Sequence, residues 1–186
     1  MTLSAVLLAG GKSRRMGQDK AMMRFGVAPL WQIQLDLLRK VQPTELFISA
    51  QIDPVWRPAD VKFAPDNQPA RGPISGIAAT LSRMNTDHLL AFAIDMPFMT
   101  ENYLRELREH IGPNRGVVPT IEDRFEPLAA IYPRSAHVDF ADALFGNDFS
   151  LQPLVKKLVA GGKLQPIQIS DEERQLFRNL NEPQDL

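Results

Sequence analysis

The chain has 186 residues, enough for one well-packed domain and short for two. Its 21 basic and 22 acidic residues leave a formal net charge of −1, which argues against a general nucleic-acid or membrane-surface binder. No cysteine is present, which excludes disulfides, thiolate metal sites and a cysteine nucleophile.

Ala5 to Ala9 is a short apolar run ended by Gly10-Gly11 and reads as a strand buried on both faces. Pro29 to Val41 fits a helix, with Leu30, Ile33, Leu37 and Leu38 on one stripe. Strands are expected at Glu45 to Ser49 and at Val61 to Ala64, the latter closed by Pro65-Asp66. Gly72-Pro73 opens a helix expected to reach about Met84, and His88 to Ile94 reads as a buried strand that stops at Asp95-Met-Pro97. Thr100 is placed to cap a helix running to His110. Further strands are expected at Arg115 to Val118, Leu128 to Tyr132, Leu164 to Ile169 and Leu176 to Leu180, with helices near Ser135 to Phe145 and Ser150 to Val159.

Strands alternating with helices predict a three-layer α/β sandwich with a mostly parallel central sheet. Ligands in such sheets bind beyond the carboxyl ends of the strands. The glycine-rich loop after the first strand, Asp66 after the third, and Asp95 after the His88 to Ile94 strand would then face one crevice. No apolar run approaches the roughly 20 residues that a bilayer requires, and no basic region precedes an apolar leader, so a cytoplasmic location is expected.

Within Leu7 to Lys20, "LLAGGKSRRMGQDK", three glycines and four cations follow directly on a strand. Glycine allows close backbone approach, so Gly10 and Gly11 suit the presentation of amides to phosphate oxygens, with Lys12, Arg14, Arg15 and Lys20 supplying charge-assisted bonds. The P-loop pattern fails on spacing, because five residues separate Gly11 from Gly17 and Gln18 follows. The dinucleotide fingerprint G-x-G-x-x-G is also absent.

The string as a whole resembles the signature L-A-G-G-x-S-x-R-M-G-x-D-K of the nucleotidyltransferase family that includes molybdenum cofactor guanylyltransferase. Leu8-Ala9-Gly10-Gly11, Ser13, Arg15-Met-Gly17 and Asp19-Lys20 match every defined position. Asp66 and Gly72-Pro73 resemble the family's segment beside the nucleotide, and Asp95 in "AIDMP" its metal-binding aspartate. Glu126-Pro-Leu128 with Tyr132 resembles the E-P-L-x-x-x-Y stretch, while Ser150-Leu-Gln152 and Asn179-Leu-Asn181 resemble late motifs on the acceptor side. Ser49 stands where some members carry asparagine, and Glu182 where the family commonly has threonine.

The resemblance implies a single domain over residues 1–186 of the nucleotide-diphospho-sugar transferase type, with a Rossmann-like nucleotide half over about 1–100 and an acceptor half over about 101–186. It implies Mg²⁺-dependent transfer of GMP from GTP to the phosphate of molybdenum-loaded molybdopterin, with pyrophosphate released. Arg15, Lys20 and Asp95 are the implied catalytic residues, with Asp95 on the metal. Leu8, Ala9, Gly10, Gly11, Ser13, Lys20, Ser49, Asp66, Gly72 and Asp95 would bind the nucleotide, and Glu126, Asn179 and Asn181 the acceptor. Molybdoenzymes or cofactor chaperones are the expected protein partners, with no nucleic acid or membrane. The chemistry is self-consistent: a phosphate nucleophile is already anionic, so charge neutralisation and alignment matter more than a general base. Alternatives are a related transferase using CTP or a sugar-phosphate acceptor, and a non-catalytic nucleotide or cofactor carrier.

Overall fold

The chain alternates strands and helices along its length. A computed structural model describes residues 1–10, 20–66 and 68–180. The first strand, β1 (Leu3–Leu8), lies between β4 (Glu45–Ala50) and β6 (His88–Ala93), parallel to both. Strand β5 (Lys62–Pro65) extends the sheet from β4, again parallel. The order β5-β4-β1-β6 ranks these strands 3-2-1-4 along the chain, the Rossmann arrangement, whose ligand crevice opens where the order reverses beside β1.

Beyond β6 the direction changes. Strand β9 (Ala129–Pro133) pairs antiparallel with β6 and with β7 (Gly116–Ile121). β10 (Leu164–Gln168) runs parallel to β7 at the edge, and the short β8 (Arg124–Phe125) folds back on β7. The mostly parallel expectation holds for this sheet, with β8 and β9 as its antiparallel members.

The period-2 alternation of side chains divides the core into two layers. From β1, Leu3, Ala5 and Leu7 point to one face, where they pack with α1 (Leu30–Lys40) and α3 (Glu101–Glu109). Val6 and Leu8 point to the other, with α2 (Pro73–Leu81), α4 (His137–Leu144) and α5 (Leu151–Ala160). A strand apolar on both sides is therefore the expected signature of a central position.

Local chemistry explains the element ends. The Thr100 hydroxyl accepts a hydrogen bond from the Tyr103 amide at 3.3 Å, capping α3 as its sequence position suggests. Gly72 caps α2 at φ +76°, a left-handed conformation that strains any other residue, and Pro73 follows in the first turn.

Three differences from the sequence reading stand out. Leu176 to Leu180 is no strand: Glu173–Phe177 forms a 3₁₀ helix, and residues 178–180 cross the end of β6 without a sheet neighbour. The apolar character that suggested a strand serves burial of Phe177 and Leu180 in the α1/α3 layer instead. A two-residue hairpin, β2 (Arg24–Phe25) with β3 (Ala28–Pro29), turns at Gly26 and is too short to produce a periodic signal. Met22, read as a packing residue, is 54% exposed.

Candidate active site

Strands β1, β4, β5 and β6 all end at one edge of the sheet, and the residues that follow them form the mouth. Their main chains are locked together. The Ala9 amide donates to the Ser49 carbonyl at 2.9 Å, the Asp66 amide to the Ala50 carbonyl at 3.0 Å, and the Ile94 amide to the Leu8 carbonyl at 3.3 Å. The pairing of β1 with β6 ends at Leu8 and Ala93, so Asp95 follows β6 at the same edge at which Gly10 follows β1.

On the α2 side, Gly10 meets Asp66. A Cβ at Gly10 would stand 2.8 Å from Asp66 Oδ2, so the carboxylate packs directly against the glycine backbone. The Ser49 hydroxyl lies 2.7 Å from Asp66 Oδ1 and 2.8 Å from the Ala64 carbonyl. A hydroxyl has one proton. When Asp66 is ionised, Ser49 donates to it; when Asp66 is protonated, it can donate to Ser49, which then donates to Ala64. Burial pushes the Asp66 carboxyl above its ordinary value, with the Ser49 hydrogen bond opposing. Ser49 is 1% exposed and sits beneath Gly76 of α2, so its hydroxyl acts on the mouth through Asp66.

On the α1 side, Lys20 opens a short 3₁₀ turn, Lys20–Met22, and its Nζ reaches Asp95 Oδ2 at 3.3 Å. Both side chains are about three-quarters buried, at 23% and 25% exposure. The same Nζ donates to the Leu180 carbonyl at 2.9 Å, while the Leu180 amide donates to the Asp95 carbonyl at 2.9 Å. Lys20 and Asp95, 75 residues apart in the chain, thus meet at the end of β6, with the segment carrying Asn179 alongside. From α1, the buried Gln34 amide donates to the Ile94 carbonyl at 3.3 Å, which steadies the peptide leading into Asp95.

The reversed strand brings in Glu126. The Ala93 amide donates to the Leu128 carbonyl at 2.9 Å, so the residues before β9 run along the end of β6 towards Asp95. Burial raises the Glu126 carboxyl, and Arg124 opposes. The Tyr132 hydroxyl donates to the Pro127 carbonyl at 2.8 Å, which ties the tyrosine to the E-P-L stretch before it. Gln152 clamps the Phe125 backbone from both sides, accepting from its amide at 3.2 Å and donating to its carbonyl at 2.8 Å. Tyr132 and Gln152 fall in motifs legible in the sequence, although their main-chain partners are not; Gln34 carries no local sequence signal, because its partner is a main-chain atom 60 residues away.

Leu8 is 6% exposed, so its side chain belongs to the core and only its main chain faces the mouth. Gly72 lies exposed at the start of α2. Gly11, Ser13, Arg15 and Asn181 lie outside the described residues. No grouping of three or more histidine, aspartate or glutamate side chains that would hold a metal by itself occurs among the described residues. No helix among them is long and apolar enough to cross a membrane.

A Rossmann-ordered sheet with a lysine–aspartate pair at its crevice defines a nucleotide-processing α/β protein. Residues 5–161 match the MobA-like NTP transferase domain, and the chain belongs to that family of nucleotidyltransferases. A probable molybdenum cofactor guanylyltransferase from Opitutus terrae is 32% identical, with 98% of this chain and 92% of that protein covered. One of the same name from Natranaerobius thermophilus is 26% identical over 99% and 93%. Among solved structures, molybdopterin-guanine dinucleotide biosynthesis protein A from Archaeoglobus fulgidus superposes with a TM-score of 0.77 at 23% identity, over 98% of this chain and 94% of that one.

Proposed function

We propose that this nucleotidyltransferase acts in molybdenum cofactor biosynthesis, transferring GMP from GTP to the terminal phosphate of molybdenum-loaded molybdopterin. The observation that carries the reading is the meeting of Lys20 and Asp95 at the crevice beside β1. The names of its relatives support the choice of acceptor and base.

In this reading an acceptor phosphate oxygen attacks the α-phosphorus, the bond to the bridging oxygen breaks, and its electron pair leaves with pyrophosphate. The nucleophile carries its own negative charge, so no side chain need remove a proton. Lys20 donates to phosphate oxygens and offsets charge growing on the leaving group. The Ala9 amide is held by the Ser49 carbonyl, so the phosphate-binding amides in this reading begin at Gly10, and Arg15 would add a second cation. Asp66, braced by Ser49 and pressed on Gly10, fixes the loop's departure from β1. Gly72 lets the chain enter α2 beside the nucleotide, while Glu126, Asn179 and Asn181 face the acceptor.

A single, partly open carboxylate suits Mg²⁺, which takes one or two protein carboxylates and completes its shell with substrate oxygens and water. Asp95 would hold it. The chemistry the ion would supply there is neutralisation of phosphate charge.

Incubation with Mg²⁺, molybdenum-loaded molybdopterin and each of GTP, CTP and ATP tests the proposal. The expected result is pyrophosphate and a guanine dinucleotide product with GTP alone. Asp95→Ala and Lys20→Met should each lower turnover by ~100-fold or more while melting close to the parent temperature. Product at the parent rate from Asp95→Ala overturns the metal assignment, and absence of a guanine product overturns the proposal.

A further inference from the structure

The ammonium of Lys20 is shared between the Asp95 carboxylate and the Leu180 main chain. Two of its three N–H bonds are engaged in this way, which leaves one for phosphate unless a contact is released. The carboxylate oxygen it holds is also one that a divalent cation would take, and a dication beside Asp95 repels an ammonium a few ångströms away. A dication that takes Asp95 Oδ2 and a phosphate that draws on the ammonium therefore both compete with the Lys20–Asp95 contact.

Leu180 is tied to both partners. Its carbonyl accepts from Lys20 and its amide donates to Asp95, so the chain from Phe177 to Leu180 is fastened across the end of β6. At its other end Phe177 stacks edge-on against Tyr103 of α3, with ring centres 5.3 Å apart. Between these anchors the Arg178 guanidinium lies over Phe98 at 5.4 Å, and Asn179 is exposed.

We infer that the Lys20–Asp95–Leu180 contact is a latch: it holds residues 177–180 against the mouth until nucleotide and metal draw Lys20 and Asp95 away. The inference rests on the transferase reading and adds an order to it. Nucleotide binds first and loosens the segment on the acceptor side. A hydrogen bond to a charged group is the strongest hold on the Leu180 carbonyl, so its loss is large enough to detect.

Amide hydrogen exchange in the full-length protein tests this on peptides spanning residues 178–180, alone and with Mg²⁺ and GTP. Binding is measured in parallel by calorimetry. The expected result is about tenfold faster exchange in the liganded protein. Lys20→Met should show the same acceleration without ligand. Lys20→Arg, which keeps a donor for the Leu180 carbonyl, should retain the parent's protection. Heat of binding with unchanged or slower exchange overturns the latch and leaves the transferase reading intact. No heat with GTP overturns the transferase reading. Unchanged protection in Lys20→Met overturns the latch whatever GTP does.

Discussion

Asp66 combines burial, a single hydroxyl partner and a position pressed against Gly10. Burial raises its affinity for a proton above that of the unfolded chain. For such a group, the stabilising contribution is full below the ordinary aspartate value and is lost as pH rises through the raised value in the fold. At neutral pH the ionised carboxylate is therefore a burden on stability. Asp66→Asn, neutral at every pH and able to hydrogen-bond Ser49, should melt higher than the parent near pH 7. The advantage should shrink to nothing as pH falls to about 4. Paired thermal melts across that range check it, and a gain no larger at pH 7 than at pH 4 contradicts it. The sequence placed Asp66 at the mouth but not its bond to Ser49, because residues 17 apart on neighbouring strands carry no shared pattern. Gly10 was legible as a site of close approach; the atom that approaches it within the fold is the Asp66 carboxylate.

Helix α2 lies close upon the sheet because Gly76 has no side chain. A Cβ there would stand 2.8 Å from Ser49 Oγ and 2.9 Å from Leu8 Cδ2. Gly76→Ala gains about 1 kcal/mol in helix propensity. Overpacking costs about 1–3 kcal/mol, and here it also displaces the hydroxyl that braces Asp66. The net effect should be destabilisation of up to about 2 kcal/mol by urea unfolding, with weaker nucleotide binding. Elements of this size were legible where periodicity or caps marked them, as in β1, β6 and α3. The 178–180 segment was not, since burying Phe177 and Leu180 under a crossing chain leaves the same apolar trace as a strand. The hairpin at Gly26 is shorter than any period.

The eight-stranded sheet is continuous, and β7 meets β9 where Val117 pairs with Ile131. A Cβ at Gly116 would land on the Ile131 carbonyl oxygen, which is backbone and cannot move aside. Gly116→Ala should part the two strands and cost about 3 kcal/mol or more. The loss should register as a lower denaturant midpoint, with the change centred on β7, β9 and β10 by hydrogen exchange. Architecture at this scale was largely legible, because alternating buried strands and helices define the layers. Strand order was not, and β9 is the instance that matters. A parallel strand in its place would present its far end to the crevice, and the loop bearing Glu126 would hang at the back of the molecule. In the transferase reading, one reversed strand gives both substrates a common doorway. Side chains between β8 and β9 can then change to reshape the acceptor's side of the entrance while β1, β4 and β5, which carry the nucleotide's side in that reading, stay as they are.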